Sequence, residues 1–295
     1  MRGIFFMMNK LKEYLKLIRV KHYIKNFLVF LPLVFSGRLL EKELLCKGLI
    51  AFLSFCFIAS VVYIINDIFD LEKDRLHEVK KNRPLAKGSV SIKEAMALVV
   101  ILFLCAVGVM IYMNNYVCVF LLMLYLIINI LYSFKLKNVP IVDIAILTSG
   151  FVIRVVYGGL CIGIEISSWL CLTVMSMAFY LSLGKRRNEI DKIGGKKNTR
   201  EVLKYYTRSY LDKFMYLCLT LTIVFYSLWT TTNMNLKYNK YLIWTVPFVI
   251  LICMKYSMVI EGESDGDPVE VVLNDKVLLF LILSYAFVII ILFYF

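Results

Sequence analysis

With two histidines and no Cys-x-x-Cys pair in 295 residues, the chain lacks the usual makings of a zinc site. Its eight cysteines, at 46, 56, 105, 118, 161, 171, 218 and 253, are scattered through or beside apolar segments. A disulfide framework is therefore not expected, and the cysteines read as small apolar filler. No Pro-, Gly- or Ser-rich stretch divides the chain, which argues against a linker between soluble domains. The apolar run Ile4–Met8 is too short for the core of a cleavable signal. Acidic residues are scarce beside basic ones, 21 against 34, for a net charge of +13. The bases are split among several loops instead of gathered on one folded face, so nucleic acid is not an expected partner.

What the chain has in excess is apolar surface. Hydrophobic residues make up 61% of it and the mean hydropathy is +0.77, more than a soluble core of this size can hide. The expected fold class is all-α, a polytopic membrane protein. Windows near 23–40, 45–65, 93–112, 116–134, 141–162, 168–184, 211–230, 240–258 and 276–294 are each suited to crossing about 30 Å of hydrocarbon, giving nine transmembrane helices. The first is the weakest, with Lys25 and Asn26 at its start and Pro32 in its middle. Residues 10–20 interleave cationic and apolar side chains at helical spacing, which suits a helix lying in the interface. The expected organisation is an amphipathic interfacial segment over 1–22 and one membrane domain over 23–295.

Lys and Arg fix the expected orientation. Residues 1–25, 66–91, 134–138 and 185–208, all on one side, hold 24 of the 34, and the opposite loops 37–47, 112–117, 161–168 and 231–241 hold five. The N-terminus is thus expected in the cytoplasm and the chain in the cell membrane. The basic side also favours anionic lipid or phosphate.

Residues 66–74, Asn-Asp-Ile-Phe-Asp-Leu-Glu-Lys-Asp, follow the apolar run 49–65 without a break. On a continuous helix Asn66, Asp67, Asp70 and Asp74 fall at about 0°, 100°, 40° and 80°, within one arc. Three carboxylates on one face repel one another unless a cation sits among them. Hard oxygen ligands at a bilayer edge suit Mg²⁺ shared with substrate phosphates. Asn66, Asp70 and Asp74 are the candidate metal ligands, and Asp67, Asp70 and Asp74 the candidate catalytic residues. His77, Lys80, Lys81, Arg83 and Lys87 follow, and cations at that spacing suit the remaining oxygens of a diphosphate. A solvated loop obeying the positive-inside rule would give the lysines equally well.

Further charged groups stand at other span ends. Lys21, Lys25 and Asn26 lead into the first span, where Lys25 either snorkels or faces an anion. Lys185, Arg186 and Glu189 end the sixth, as an intrahelical pair or as a second wall facing the first. On the fifth, Asp143 and Arg154 lie about 16 Å apart along the axis and share a face with Gly150 and Tyr157. A guanidinium that deep marks a polar cavity or a structural contact with another helix. Glu261, Glu263, Asp265, Asp267 and Glu270 read as a solvated loop, with a short helix from Pro268 over the cavity.

The pattern Asn-Asp-x-x-Asp-x-x-x-Asp after the second of nine spans resembles the UbiA superfamily of intramembrane prenyltransferases. Arg19-x-Lys21-x-Tyr23-x-Lys25-Asn26, Pro32-Leu33-x-Phe35-Ser36-Gly37 and Arg83-Pro84-x-Ala86-x-Gly88 narrow the match. So do Tyr132-Ser133-Phe134-x-Leu136-Lys137 with Asp143, Gly150-Phe151-x-x-Arg154 with Gly158-Gly159, and Gly184-Lys185-Arg186-x-x-Glu189. From about residue 15 to the end, the chain is similar to the decaprenyl-phosphate phosphoribosyltransferase branch. That resemblance implies helices around a central cavity open laterally to lipid, and transfer of 5-phosphoribosyl from phosphoribosyl diphosphate to a polyprenyl phosphate with Mg²⁺. It makes Lys21, Lys25, Asn26, Lys80, Arg83, Lys137, Asp143, Arg154, Lys185, Arg186 and Glu189 the candidate substrate- and phosphate-binding residues.

The prenyltransferases' second Asp-x-x-x-Asp motif is absent after the sixth span, where Lys185-Arg186-x-x-Glu189 stands instead. That weakens the alternative of prenyl transfer to an aromatic acceptor. A lipid or solute transporter is the other alternative, and it leaves the acidic face unexplained. Membrane lipids are expected partners, and a homo-oligomer is compatible with the sequence.

Overall fold

A computed structural model of the chain describes residues 2–191, 201–232, 239–262 and 266–294. Those residues are helical almost throughout. Helix α1 (Arg2–Leu17) ends at Arg19, whose left-handed φ of 55° turns the chain into an eleven-residue 3₁₀ run, Val20–Phe30. Helix α2 (Leu31–Phe35) follows with Pro32 in its first turn, where a missing N–H costs no helical bond. The first expected span is therefore a 3₁₀ run joined to a five-residue helix instead of one α-helix. Leu17 packs against Val61, Ile64, Leu71 and Leu85, so the amphipathic segment is docked on the rest of the fold.

Helix α3 (Lys42–Phe69) carries the longest apolar run straight into the acidic motif. Asp70 caps it, α4 (Leu71–Arg75) follows at once, and α5 (Pro84–Lys87) returns the chain to the membrane-side elements. Helix α6 (Ile92–Tyr112) starts at a capping box between Ser91 and Glu94, and α7 (Tyr116–Phe134) at the Asn115 cap. Helix α8 (Val142–Ile162) ends at Gly163, whose φ of 81° lets its N–H and that of Ile164 reach the Gly159 carbonyl. Helix α9 (Ser168–Asp191) runs past its expected end and carries Lys185–Asp191 as helix. The remainder comprises α10 (Arg208–Thr232), α11 (Asn239–Leu242), α12 (Val246–Glu261), α13 (Pro268–Asn274) and α14 (Lys276–Tyr294).

Seven segments among the described residues are long and apolar enough to cross a membrane: α3, α6, α7, α8, α10, residues 243–261 and α14. The two other expected windows are the 3₁₀–α2 segment and α9, the latter diluted by Ser176, Ser182, Arg186 and Arg187, all buried.

The apolar interior forms two main groups. One gathers Ala51, Phe55, Ile58, Leu122 and Tyr157 from α3, α7 and α8, and the other Tyr180, Leu183, Leu211, Tyr256 and Leu278 from α9, α10, α12 and α14. Helices α8 and α9 pack on each other between them. The 3₁₀ run is pressed against α8 at Gly158, where a Cβ would lie 2.0 Å from the Val29 carbonyl oxygen. Only a glycine admits backbone that close.

Eight isolated thiols were expected, but Cys118 and Cys161 form a disulfide, with Cα atoms 6.3 Å apart. Their spacing of 43 residues carries no motif. The pairing arises because the start of α7 lies beside the end of α8.

Candidate active site

The acidic motif is not spread along one continuous helix. The turn at Asp70 (φ −90°, ψ 6°) separates Asn66 and Asp67, on α3, from Asp74, on α4. The Asp70 N–H to the Asn66 carbonyl and the Asp74 N–H to the Asp70 carbonyl still carry the helical course through that turn, so Asp67 and Asp74, at about 100° and 80°, stay on one face. Asp67 and Asp74 are buried and both receive Arg83 Nη1, at 3.0 and 2.6 Å, while Arg19 also pairs with Asp67. Asn66 accepts from the Ser133 hydroxyl at 3.0 Å, and Asp70 from Lys137 at 3.2 Å. Mutual repulsion of the carboxylates is thus relieved by three cations, two from sequence-distant segments.

No three His, Cys, Asp or Glu side chains among the described residues form a group that could hold a metal by themselves. The oxygen donors present do suit a hard cation that draws its other ligands from a diphosphate. Asp70 and Asp74 each engage a protein cation through one oxygen, and Asn66 adds a neutral oxygen one turn away.

A second cluster adjoins this one at His22, which lies within the field of Arg19 from the first and of Lys25, Asp267 and Lys185 from the second. Lys25 Nζ lies 2.9 Å from Asp267, which also caps α13 by accepting from the Val269 N–H. Glu261 and Glu270 are exposed and the expected short helix starts at Pro268, but Asp267 is not part of a solvated loop, since it reaches a base 242 residues away in sequence. Glu263 and Asp265 lie outside the described residues. Burial alone would raise the Asp267 carboxyl, but the Lys25 ammonium outweighs it and holds the group below its usual range. Gly266 sits against Lys185 and Asn188, bringing this segment onto α9.

Deeper in, Asp143 and Arg186 are fully buried and paired at 2.5 Å. Arg186 also donates to Glu189 at 2.6 Å and to Tyr132 at 3.0 Å, and Tyr206 donates to Asp143 at 2.6 Å. Arg154 does not share a partner with Asp143. Its guanidinium donates to Asn26 (2.8 Å), the Gly150 carbonyl (2.5 Å) and Tyr125 (3.1 Å), with the Phe55, Tyr125 and Phe151 rings around it. Neutral acceptors and aromatic faces thus solvate this buried cation. Lys21 and Lys80 are exposed on the surface.

Sequence reasoning did not list Arg19, Ser133, Tyr132 and Tyr206 as site residues, nor His22. The first three stand inside motifs quoted for the family resemblance, whereas nothing local marks Tyr206. His22 lies at the seam between the clusters, its ring 5.7 Å from Tyr63 and its Nδ1 buried without a hydrogen bond. Burial first, then the charge on Lys25, lowers the imidazole from 6.5 to about 4. A depressed histidine favours the folded state when neutral, so its contribution is present at pH 7 and lost as pH falls from about 6.5 towards about 4. The thermal midpoint in detergent is expected to fall over that window by an amount equivalent to no more than about 2 kcal/mol after solvent screening. His22→Gln is expected to remove that component of the pH dependence. An unchanged profile in the variant would exclude His22 as its source.

An all-helical membrane protein with carboxylates and cations drawn together at one end of its bundle is the class that this architecture defines. The UbiA prenyltransferase family model matches residues 42–274, and the chain belongs to that family. It is 32% identical over 288 residues to a decaprenyl-phosphate phosphoribosyltransferase of Corynebacterium glutamicum, covering 94% of this chain and 85% of that protein. A protein of the same name from Mycolicibacterium smegmatis is 32% identical over 293 residues, covering 94% and 91%. The fold is also that of a UbiA homologue from Archaeoglobus fulgidus bound to GPP and Mg²⁺. That match has a TM-score of 0.67 at 20% identity and covers 94% of this chain and 99% of that one.

Proposed function

We propose that the protein is a membrane-embedded transferase moving 5-phosphoribosyl from phosphoribosyl diphosphate to a polyprenyl phosphate, with release of diphosphate. The observation that carries this reading is the gathering of the motif carboxylates with Arg19, Arg83 and Lys137 at the end of α3. Carboxylates with Asn66 would form one wall, and Lys25, Lys185 and the Arg186–Glu189 pair the other, where prenyltransferases would place a second acidic pair. The names of the relatives at 32% identity support the donor and acceptor classes. Nine spans with a cytoplasmic N-terminus, in the cell membrane, would put this end where a soluble donor can reach it.

Asn66, Asp70 and Asp74 would hold Mg²⁺, which when bound neutralises charge on the departing diphosphate. Arg83 and Lys137, now paired with the same carboxylates, are placed to turn to diphosphate oxygens. Lys21, Lys25, Lys80 and Lys185 supply further positive charge for the donor and the lipid phosphate. Asp143 and Arg154 are buried in hydrogen bonds and act by holding neighbouring elements in place.

A lipid phosphate oxygen forms a bond to the anomeric carbon as the bond from that carbon to diphosphate breaks, the electron pair leaving with diphosphate. A phosphate monoester is already nucleophilic, so no strong base is needed, and positioning and electrostatics supply the rate.

The test is purified protein with labelled phosphoribosyl diphosphate, polyprenyl phosphate and Mg²⁺, with and without EDTA, beside prenyl diphosphate with an aromatic acid. Label entering the lipid only in the first mixture, and lost with EDTA, is the expected result. Label in the aromatic product would replace this reading with prenyl transfer, and label in neither would reject both.

A further inference from the structure

We propose that Tyr206 is a positioning residue of this site, its hydroxyl setting the orientation of Arg186, and through it of the Glu189 carboxylate, by way of buried Asp143. The proposal deepens the phosphoribosyl-transfer reading and rests on it. Tyr206 lies just beyond the short 3₁₀ turn Glu201–Tyr205 that precedes α10. Its hydroxyl donates to Asp143 Oδ1 at 2.6 Å and accepts the Ile141 N–H at 2.6 Å. Ile141 has a φ of +69°, a conformation that a β-branched residue adopts only when held there. The other Asp143 oxygen, Oδ2, takes Arg186 Nε at 2.5 Å, and Arg186 Nη1 then reaches Glu189 Oε2 at 2.6 Å. Asp143 and Arg186 are wholly enclosed, while the Glu189 side chain is 24% exposed. The relay therefore begins at Tyr206, ahead of α10, and ends at the partly exposed Glu189 in the last turns of α9.

The hydroxyl matters because it divides the Asp143 carboxylate. With Oδ1 taken up by Tyr206, Arg186 meets Oδ2 through Nε, and its two outer nitrogens go to Glu189 and Tyr132. Without the hydroxyl, the buried Oδ1 loses its donor and draws a second nitrogen of the guanidinium. The two-toothed arrangement such groups prefer would then turn Arg186 off Glu189. Burial, and next the hydrogen bond to Asp143, push the Tyr206 phenol above its usual value, so the hydroxyl keeps the proton it donates. A purely structural tyrosine in this position would act through its ring, which phenylalanine retains.

The experiment compares Tyr206→Phe, Glu189→Gln and the double variant. Each single variant is expected to raise the KM for phosphoribosyl diphosphate about tenfold, the scale of one charged hydrogen bond, with the KM for lipid phosphate within about twofold of wild type. The double variant is expected to be no worse than Glu189→Gln alone, because both remove the same arm. Multiplying effects, or a Tyr206→Phe enzyme with unchanged donor KM, would overturn the proposal. If Tyr206→Phe does not yield folded protein, Asp143→Asn with and without Glu189→Gln asks the same question one step along the relay. The same series is read by the thermal shift with inorganic diphosphate and Mg²⁺, which needs no turnover. Inactive wild-type protein that still shows the non-additive diphosphate shift would reject phosphoribosyl transfer but sustain the relay. Absence of any shift in the wild type would overturn both.

Discussion

Asp70→Ala is expected to lower phosphoribosyl transfer by about 10²–10³-fold, the scale of removing one group that stabilises charge at the reacting centre. Asp70 is half-buried at the junction of α3 and α4, and its side chain accepts from Lys137 at 3.2 Å. Its loss should therefore cost folding only on the order of 1 kcal/mol, and the protein should still insert and purify. Asp74→Ala should be as inactive but less stable. It takes a buried partner from Arg83, although Asp67 still holds that guanidinium at 3.0 Å. The comparison is between initial rates with labelled donor at equal amounts of folded protein, over a range of Mg²⁺. An Asp70→Ala enzyme within about threefold of wild type would remove Asp70 from the site.

Gly158→Val should cost the folded protein outright. Even the first carbon of the new side chain would lie 2.0 Å from the Val29 carbonyl oxygen and 2.9 Å from its Cα. The obstacle is backbone, so no rotamer relieves it. Separating the 3₁₀ run from α8 would also pull Asn26 off Arg154, leaving a buried cation short of an acceptor. The expected penalty exceeds the ~1–3 kcal/mol of ordinary overpacking, a large part of a total stability of about 5–15 kcal/mol. The yield of monodisperse protein in detergent and its thermal midpoint are the measurements. A Gly158→Val protein with wild-type values would show that the 3₁₀ run can be displaced at little cost. Gly108, with nothing within 4 Å of its would-be Cβ, is the control position and should accept alanine.

Long apolar runs made most of the architecture legible in the sequence. Helices α3, α6, α7, α8 and α14 begin and end within a few residues of their expected windows, because hydropathy over about 20 residues averages out local irregularity. The first span was harder to read. Pro32 and the polar Lys25–Asn26 pair signalled a weak helix, but the 3₁₀ backbone and its close approach to Gly158 left no periodic mark. At the acidic motif the helical spacing placed Asp67 and Asp74 on one face, where both meet Arg83, but the turn at Asp70 and the partners Arg19, Ser133 and Lys137 left no local sign. Lys25 with Asp267, Asp143 with Tyr206, and Cys118 with Cys161 join segments far apart in the chain. Such pairings follow from packing, and a single sequence carries no periodic trace of them.

The 3₁₀ run has a further consequence, as a measure of length. Each of its residues advances about 2.0 Å and turns about 120°, against about 1.5 Å and 100° in an α-helix. Val20–Phe30 thus covers about 22 Å, some 5 Å more than the same residues would as an α-helix. Lys25, Asn26 and Val29 are thereby delivered to Asp267, Arg154 and Gly158 in fixed rotational order. Inserting one residue after Ile24 would swing all three a third of a turn from their partners. The exposed side chains of Ile24 and Phe27 can vary, but the number of residues between Arg19 and Leu31 cannot.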